Sequence, residues 1–281
     1  MTASPALILS VYCLAIAGFS MAGGLLPDLV RMTHTRTQVI MSFVAGLMLG
    51  VAFYHLLPHS ISMGGGAHAA DFTVWWLMIG LTTMLLLLRM FHFHQHDFSL
   101  EEDHLHDHHP PAQGHAAHRL SWVGIALGLA VHTLIDGVAL GAVMQGDHLR
   151  QSGFIGIGVF LAILLHKPLD ALSITTLMEA GGWSRRSRGI ANLLFALMCP
   201  LGALLFYFGV DLLGEGRHAV VAGALAFSAG AFICIALSDL LPEVHFHSHD
   251  RGKLTLAFLL GIVLAYAIGS FEPAGLHLTD H

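Results

Sequence analysis

The sequence contains few charged residues. Asp, Glu, Lys and Arg make up 11% of its 281 residues, whereas roughly 25% is usual for soluble domains. Hydrophobic residues make up 55%, and the mean hydropathy is +0.71. The formal net charge of −6 is spread thinly along the chain and gives no sign of a nucleic-acid partner. These values argue against a soluble globular protein and predict an integral membrane protein, with the lipid bilayer as a partner.

Cysteines and targeting signals are also scarce. The three cysteines, Cys13, Cys199 and Cys234, all lie in apolar runs, so no disulfide framework is expected. No basic region precedes the first apolar stretch, which argues against a cleaved signal peptide. Alternating strand patterns of about ten residues are absent, and helices are therefore the predicted spanning element.

Eight apolar segments have lengths near the roughly 20 residues that a helix needs to cross a bilayer. We predict spans at about 5–28, 38–62, 72–92, 120–145, 153–178, 188–211, 217–242 and 253–271. The one long connection is 93–119. Residues 1–281 are therefore predicted to form a single all-α transmembrane domain, in which this connection has no fixed fold.

The distribution of basic residues predicts the orientation in the membrane. If the N-terminus is outside, only Arg150 and Arg217 fall outside. Those that fall inside are Arg31, Arg36, Arg89, Arg119, Arg185, Arg186, Arg188, Arg251 and Lys253. Both termini are therefore expected to be external or periplasmic, and 93–119 cytoplasmic. We interpret the arginines at 185–188 as an inside-positive anchor rather than a binding patch.

An internal repeat relates the second and seventh spans. Both contain the pattern F-x-A-G-x5-A-x2-[HD]-L-L-P-[HE], which begins at Phe43 and again at Phe227. Under the predicted topology the second span runs outward and the seventh inward, as in the inverted repeats of many transporters. This predicts a 3+2+3 arrangement, in which spans one to three and six to eight flank spans four and five. The alternative is a chance likeness between helices rich in small residues.

Polar residues lie at the end of each repeat. His55 and His59 are expected near the outer end of their span, and Asp239 and Glu243 near the inner end of theirs, followed by His245 and His247. A spacing of four places each pair on one helix face. We predict an entrance relay and an exit relay for metal ions. The alternative is that these residues only cap helix ends beside a proline.

Histidine is abundant, with 22 residues, and this makes metal handling a reasonable expectation. Many lie in or beside the 93–119 loop, among them His92, His94, His96, His104, His106, His108 and His109. Neutral imidazoles of this kind bind metal ions, and such a biased tract is expected to hold them loosely. The alternative is a simple hydrophilic linker.

Two motifs in spans four and five carry the main hypothesis. His132 and Asp136 form one, His166 and Asp170 the other, and each pair shares a helix face. Two imidazoles and two carboxylates suit Zn²⁺ and also accept Fe²⁺, Mn²⁺, Cd²⁺ or Co²⁺. Unpaired aspartates would be costly in the membrane. The alternative is that the histidines are packing residues bonded to neighbouring carbonyls. No organic cofactor is expected.

Lys167 directly follows a candidate ligand deep in the fifth span. An ammonium group there needs a carboxylate partner, and Asp170 or Asp136 is available. Pro168 removes a backbone donor and is expected to kink the span beside the site.

These motifs resemble those of the ZIP (Zrt/Irt-like) family of divalent-metal transporters, over nearly the whole chain. The matching elements are the H-x-x-x-E-type motifs, which stand here as His132–Asp136 and His166–Asp170, the H-L-L-P motif at 55–58, and the D-L-L-P-E motif at 239–243. The resemblance implies eight spans, external termini, a His-rich cytoplasmic loop and movement of zinc and related ions into the cytoplasm. It implies a transporter rather than an enzyme.

The sequence departs from the family pattern at several positions. Many relatives bind a second metal with residues whose places hold Thr133, Lys167 and Cys199 here. The resemblance therefore implies one metal, with the Lys167 charge replacing the second. Some divergent relatives share the H-K dipeptide, so the change is expected to mark a subclass of the family. Met48 is a possible equivalent of a methionine that can join the family's site.

Two other functions remain open on the sequence alone. An intramembrane zinc hydrolase would use the metal to activate water. A cation-diffusion efflux carrier also uses H-x-x-x-D motifs, but is expected to have six spans and a cytoplasmic C-terminal domain, whereas this sequence stops soon after Glu272. The expected ligands are divalent metal ions. A homodimer is compatible with the sequence, which leaves the oligomeric state open.

Overall fold

A computed structural model describes residues 4–29, 34–92, 115–148, 156–240 and 251–271. All regular elements in these ranges are helical, which confirms the all-α prediction. The helices are α1 Pro5–Leu29, α2 His34–Val51, α3 Leu57–Gly64, α4 Ala69–His92, α5 His115–His148, α6 Ile157–Ala180, α7 Arg185–Gly209, α8 Arg217–Ile235 and α9 Arg251–Phe271.

Two π-helical turns interrupt the regular helices in the ranges given above. One, Ala52–Leu56, joins α2 to α3, and the other, Ala236–Leu240, follows α8. They occupy equivalent positions in the sequence repeat, which aligns Ala52 with Ala236 and Leu56 with Leu240. Because π-helical turns are rare, their occurrence at matching positions means that the two repeat segments share a local backbone feature as well as a sequence pattern.

The described ranges contain seven helical segments that are long and apolar enough to cross a membrane. The longest, Arg185–Ser238, has 54 residues and includes both α7 and α8. A 3₁₀ segment, Val210–Gly216, separates these two helices, and Gly214 within it has φ 55° and ψ −120°. Such a backbone conformation favours glycine, so the long segment bends at a defined position.

Glycines bring α2 and α9 into backbone contact. A Cβ on Gly46 of α2 would overlap the carbonyl of Phe258 in α9, and one on Gly261 of α9 would overlap the carbonyl of Phe43 in α2. Small residues allow this close approach in membrane helix pairs.

Glycines also bring α4 and α8 into backbone contact. A Cβ on Gly230 of α8 would overlap the Leu77 carbonyl of α4, and one on Gly80 of α4 would overlap the Phe227 carbonyl of α8. The repeat aligns Phe43 with Phe227 and places Gly230 where α2 has a glycine. The two helix pairs therefore pack through equivalent residues.

The helices that carry the paired motifs are held in a similar way. In α5, a Cβ on Gly137 would overlap the carbonyl of Cys199 in α7. In α1, a Cβ on Gly23 would overlap the backbone of Pro168 in α6. The α6 helix is assigned without a break through Pro168. Close packing against α7 and α1 therefore fixes the positions of α5 and α6.

A cluster of polar side chains connects the C-terminal end of α5 to α7 and α8. Gln145, which is 2% exposed, donates from Nε2 to the Tyr207 carbonyl at 2.5 Å. Arg217 donates to the Gln145 side-chain oxygen and pairs with Asp211 at 3.3 Å. These bonds satisfy a buried amide at the bend between α7 and α8.

The glycine contacts give a stability prediction. We expect Gly230→Ala to lower the thermal unfolding midpoint in detergent, because the added Cβ meets backbone that cannot move aside, and overpacking typically costs about 1–3 kcal/mol. Gly18→Ala in α1 is the matched control, since nothing lies within 4 Å of its Cβ position. Equal effects of the two substitutions would contradict the close approach of α8 and α4.

Candidate metal site

The structure brings the four residues of the paired motifs together. His132 and Asp136 lie on α5, and His166 and Asp170 lie on α6. One ligand atom from each residue can be chosen so that all four lie within 4.8 Å of one another. The spacing of four within each helix and the packing of the two helices are both needed for this convergence.

The distances suit a small metal ion. The Nε2 of His132 lies 3.5 Å from Asp136 Oδ2 and 3.5 Å from Asp170 Oδ2. The Nε2 of His166 lies 3.2 Å and 3.8 Å from the same two oxygens. Ligand atoms placed tetrahedrally about 2.1 Å from zinc are roughly 3.4 Å apart. Small side-chain adjustments would therefore give a tetrahedral set.

The hydrogen bond at the other nitrogen of His166 favours a cation between the helices. The Nδ1 of His166 lies 2.7 Å from the carbonyl oxygen of Ala162, and because that oxygen can only accept, Nδ1 must donate. In a neutral imidazole, Nε2 then carries a lone pair that faces Asp136 Oδ2. A proton or a metal ion is needed to make this contact attractive. Such a bond also orients the ring for ligation.

The ring of His132 stacks on the ring of His166. The His132 and His166 rings are 5.6 Å apart between centroids, with an angle of 29° between their planes. His132 is 4% exposed, and its Nδ1 has no hydrogen-bond partner among the described residues. Its Nε2 faces two carboxylate oxygens at 3.5 Å, which favour a proton or a metal ion at that nitrogen.

Lys167 lies at the side of the cluster and is completely buried. Its Nζ donates to Thr133 Oγ1 at 3.0 Å and to Asp170 Oδ2 at 2.9 Å, and it also contacts Asp136 Oδ2. The three ammonium hydrogens thus have three oxygen acceptors. The sequence left open which aspartate pairs with Lys167, and the structure shows that both do.

The net charge of the cluster favours the binding of a further cation. Two carboxylates and one ammonium give the cluster a net charge of −1 when the imidazoles are neutral. Asp136 is fully buried, and its Oδ1 has no hydrogen-bond partner in the described ranges. Asp170 has a side chain 16% exposed, so the cluster is most open on that side. An unpaired carboxylate oxygen in a buried, negatively charged cluster is suited to bind a metal ion.

Helix α7 completes the surroundings of Lys167. The ammonium lies 5.8 Å from the centroid of the Phe195 ring, a cation–π distance. Cys199, one turn further along, is fully buried and close enough to Lys167 and Asp136 to interact with them electrostatically. No sequence pattern indicates the roles of Phe195 or the Ala162 carbonyl, because both depend on packing and side-chain orientation.

The predicted entrance residues are buried and bonded to backbone. His55 is 2% and His59 4% exposed. The Nε2 of His55 donates to the Ala265 carbonyl at 2.9 Å, and the Nδ1 of His59 donates to the His55 carbonyl at 2.7 Å. Met48 is also fully buried in α2. The relay role of the histidines and the ligand role of Met48 stay predictions.

The other predicted sites lie wholly or partly outside the described residues. Asp239 lies in the π-helical turn after α8 and His92 ends α4, but their side chains are outside the described part. The remaining residues of the exit relay and the loop lie wholly outside the described ranges, namely Glu243, His245, His247, His94, His96, His104, His106, His108 and His109.

Comparison with known proteins identifies related sequences. The sequence model of the ZIP zinc transporter family matches residues 92–269, which include both paired motifs. Zinc transporter ZIP9-B of Xenopus laevis is 28% identical, over 87% of this chain and 88% of its own. Zinc transporter ZIP9 of Micropogonias undulatus is 25% identical, over 92% and 93%. Zinc transporter ZIP9 of Macaca fascicularis is 33% identical, over 44% and 54%.

The family match covers more than half of the chain, and the apolar helices are those of a multi-pass integral membrane protein. The chain therefore belongs to the ZIP zinc transporter family.

Proposed function

We propose that the protein carries Zn²⁺ across the membrane into the cytoplasm, and that the ion binds to His132, Asp136, His166 and Asp170 on the way. The observation that carries the proposal is the convergence of these four ligand types within 4.8 Å, from two packed apolar helices. The relatives are zinc transporters by name. Membership of the ZIP family argues against the hydrolase alternative, because the family is one of transporters, and against the cation-diffusion carrier, because that carrier belongs to a different family.

The ligand set defines the range of ions. Two imidazole nitrogens and two carboxylate oxygens suit tetrahedral zinc, and the same donors accept Fe²⁺, Mn²⁺, Cd²⁺ and Co²⁺. Hard ions such as Mg²⁺ and Ca²⁺ prefer all-oxygen sites and are excluded by this donor set. The proposed transport needs no organic cofactor.

Lys167 makes this a site for one metal ion. Its ammonium contacts Thr133 and both aspartates, and so occupies the side of the cluster where a second cation would bind. The fixed charge also limits affinity, because zinc enters a cluster of net charge −1 rather than −2. A transported ion must be released as well as bound. From the His166–Lys167 dipeptide we infer that the protein belongs to the H-K subclass of the family.

We propose eight membrane crossings in a 3+2+3 inverted repeat. The segment Arg185–Ser238 has 54 residues, more than twice the roughly 20 that one crossing needs, and it bends at Gly214. The matching π-helical turns and the equivalent glycine contacts of the α2–α9 and α8–α4 pairs support the repeat. In each pair the second helix of one triplet packs on the third helix of the other.

The path and orientation follow from this arrangement. Zinc would enter near His55 and His59 and then bind at the site, where Met48 is a possible additional ligand. It would leave past the exit residues Asp239, Glu243, His245 and His247. The basic residues favour external termini and a cytoplasmic 93–119 loop, whose histidines would buffer released metal. Residues 1–281 form one transporter domain in this proposal.

The test is zinc flux into proteoliposomes, measured with an internal zinc-sensitive dye across a pH series. Protons compete with zinc for imidazoles and carboxylates. We therefore expect zinc uptake at limiting external zinc to fall as the external pH is lowered from neutral, and to recover when zinc is raised. External Cd²⁺ should compete, whereas Mg²⁺ should not. Flux no greater than in empty liposomes would refute the proposed function.

A further inference from the structure

A cleft between α1 and α7 holds features that zinc transport does not use. Its lining residues are Gly24 and Leu25 of α1 and Arg185, Arg188, Gly189 and Asn192 of α7, and it contains about 260 Å³ of space, part of it open to solvent. We propose that this basic cleft binds the phosphate-bearing, hydroxylated headgroup of an anionic phospholipid. The inference does not depend on the proposed transport.

The N-terminus of α7 supplies the positive field. Ser184 is the N-cap, with its hydroxyl accepting from the Ser187 amide at 3.2 Å, and Arg185, Arg186 and Arg188 occupy the first turn. Arginines are unfavourable at a helix N-terminus, which is itself positive. Glu179 balances one of them through a 2.7 Å ion pair with Arg188. A bound phosphate would be stabilised both by the helix end and by hydrogen bonds from the guanidinium groups of Arg185 and Arg188, which line the cleft.

A buried acceptor in the cleft indicates what else the ligand must carry. Asn192 is 1% exposed, and its Nδ2 donates to the Met21 carbonyl at 3.1 Å, which fixes the orientation of the amide. Its Oδ1 is buried without a hydrogen-bond partner among the described residues. Buried acceptors are normally satisfied. The ligand should therefore donate a hydroxyl to Asn192 while its phosphate meets the arginines.

The surface next to the cleft favours a lipid over a free ion. Exposed apolar side chains continue along α7 from the cleft, at Ile190, Leu194 and Leu197, where acyl chains can lie. The arginines fall on the side that the charge distribution assigns to the cytoplasm, where anionic lipids attract basic residues. The sequence alone indicated an inside-positive anchor at 185–188 rather than a binding patch; in this proposal the same arginines also bind a specific ligand.

The test compares two arginines of the same helical turn. Arg185 lines the cleft, whereas Arg186 is exposed and is not among its lining residues. The full chain is placed in phosphatidylcholine nanodiscs with graded phosphatidylglycerol, and bound lipid is counted by native mass spectrometry. We expect Arg185→Gln to weaken phosphatidylglycerol binding roughly fivefold, which corresponds to ~1 kcal/mol for one arginine near an anionic surface. Arg186→Gln should change it less than about twofold.

Two further arms separate the alternatives. Phosphatidic acid, which lacks the glycerol hydroxyls, should bind more weakly than phosphatidylglycerol, and Asn192→Leu should remove that difference. Equal losses for Arg185→Gln and Arg186→Gln, or phosphatidylglycerol binding no tighter than phosphatidylcholine, would overturn the proposal. Inorganic phosphate could displace phosphatidylglycerol, and its own binding could depend on Arg185. That result would support an anion site in the cleft but would show that its ligand is not a lipid. If Asn192→Leu does not fold, the comparison of Arg185→Gln with Arg186→Gln still tests the proposal.

Discussion

Asp170→Asn and His166→Ala are each expected to abolish zinc uptake into proteoliposomes while leaving the protein folded. Asp170 and His166 both face the ion in the proposed site, and even residues that only support metal ligands cost about 10–100-fold when replaced. The losses here should be at least that large. Asparagine keeps the shape of Asp170 and an oxygen that can accept from Lys167, so the buried ammonium retains its contacts.

The matched control is a histidine–aspartate pair elsewhere in the chain. His68 and Asp71 lie 3.4 Å apart, with side chains 91% and 85% exposed. Their replacement by Ala removes the same chemical groups from the surface and should leave uptake unchanged. Uptake that survives both Asp170→Asn and His166→Ala at wild-type rates would show that zinc does not use this site.

Lys167→Met is expected to destabilise the metal-free protein and to strengthen zinc binding. Without the ammonium, two buried carboxylates face each other uncompensated, and breaking a buried ion pair in this way costs about 3–5 kcal/mol. Zinc binding would then neutralise a cluster of charge −2. The unfolding midpoint should fall without zinc and rise more steeply with added zinc than in the wild type. Uptake should slow, because release is harder.

Lys253→Met is the control for this substitution, since Lys253 is exposed at the start of α9. Both variants lose one lysine, but only the first loses a buried charge. A Lys167→Met protein with wild-type metal-free stability and wild-type zinc affinity would contradict the role assigned to Lys167.

The helical segments and the shared helix face of each histidine–aspartate pair could be predicted from the sequence because both depend on local spacing. Apolar runs of sufficient length specify the helices, and an interval of four residues specifies a shared face. The ranges 5–28 and 253–271, for example, agree with α1 and α9 to within two residues.

The features that the sequence did not reveal depend on contacts between helices or on small changes in backbone bonding. A π-helical turn at Ala52–Leu56 shifts the backbone hydrogen bonds of a helix without a distinctive residue pattern. The contact of Gly46 with α9 and the bond from Lys167 to Thr133 require the packed arrangement. In the sequence Asn192 is an ordinary polar residue. Its hydrogen bond to the Met21 carbonyl of α1 and its position in the cleft become apparent only in the structure.

Anomalous X-ray scattering at the zinc edge, from crystals of the zinc-bound protein, would locate the bound ion directly. We predict one zinc ion between α5 and α6, about 2.0–2.2 Å from nitrogen atoms of His132 and His166 and oxygen atoms of Asp136 and Asp170. Lys167 should remain in contact with the carboxylates. Two adjacent ions at this position, or zinc bound elsewhere with these four side chains unliganded, would contradict the account.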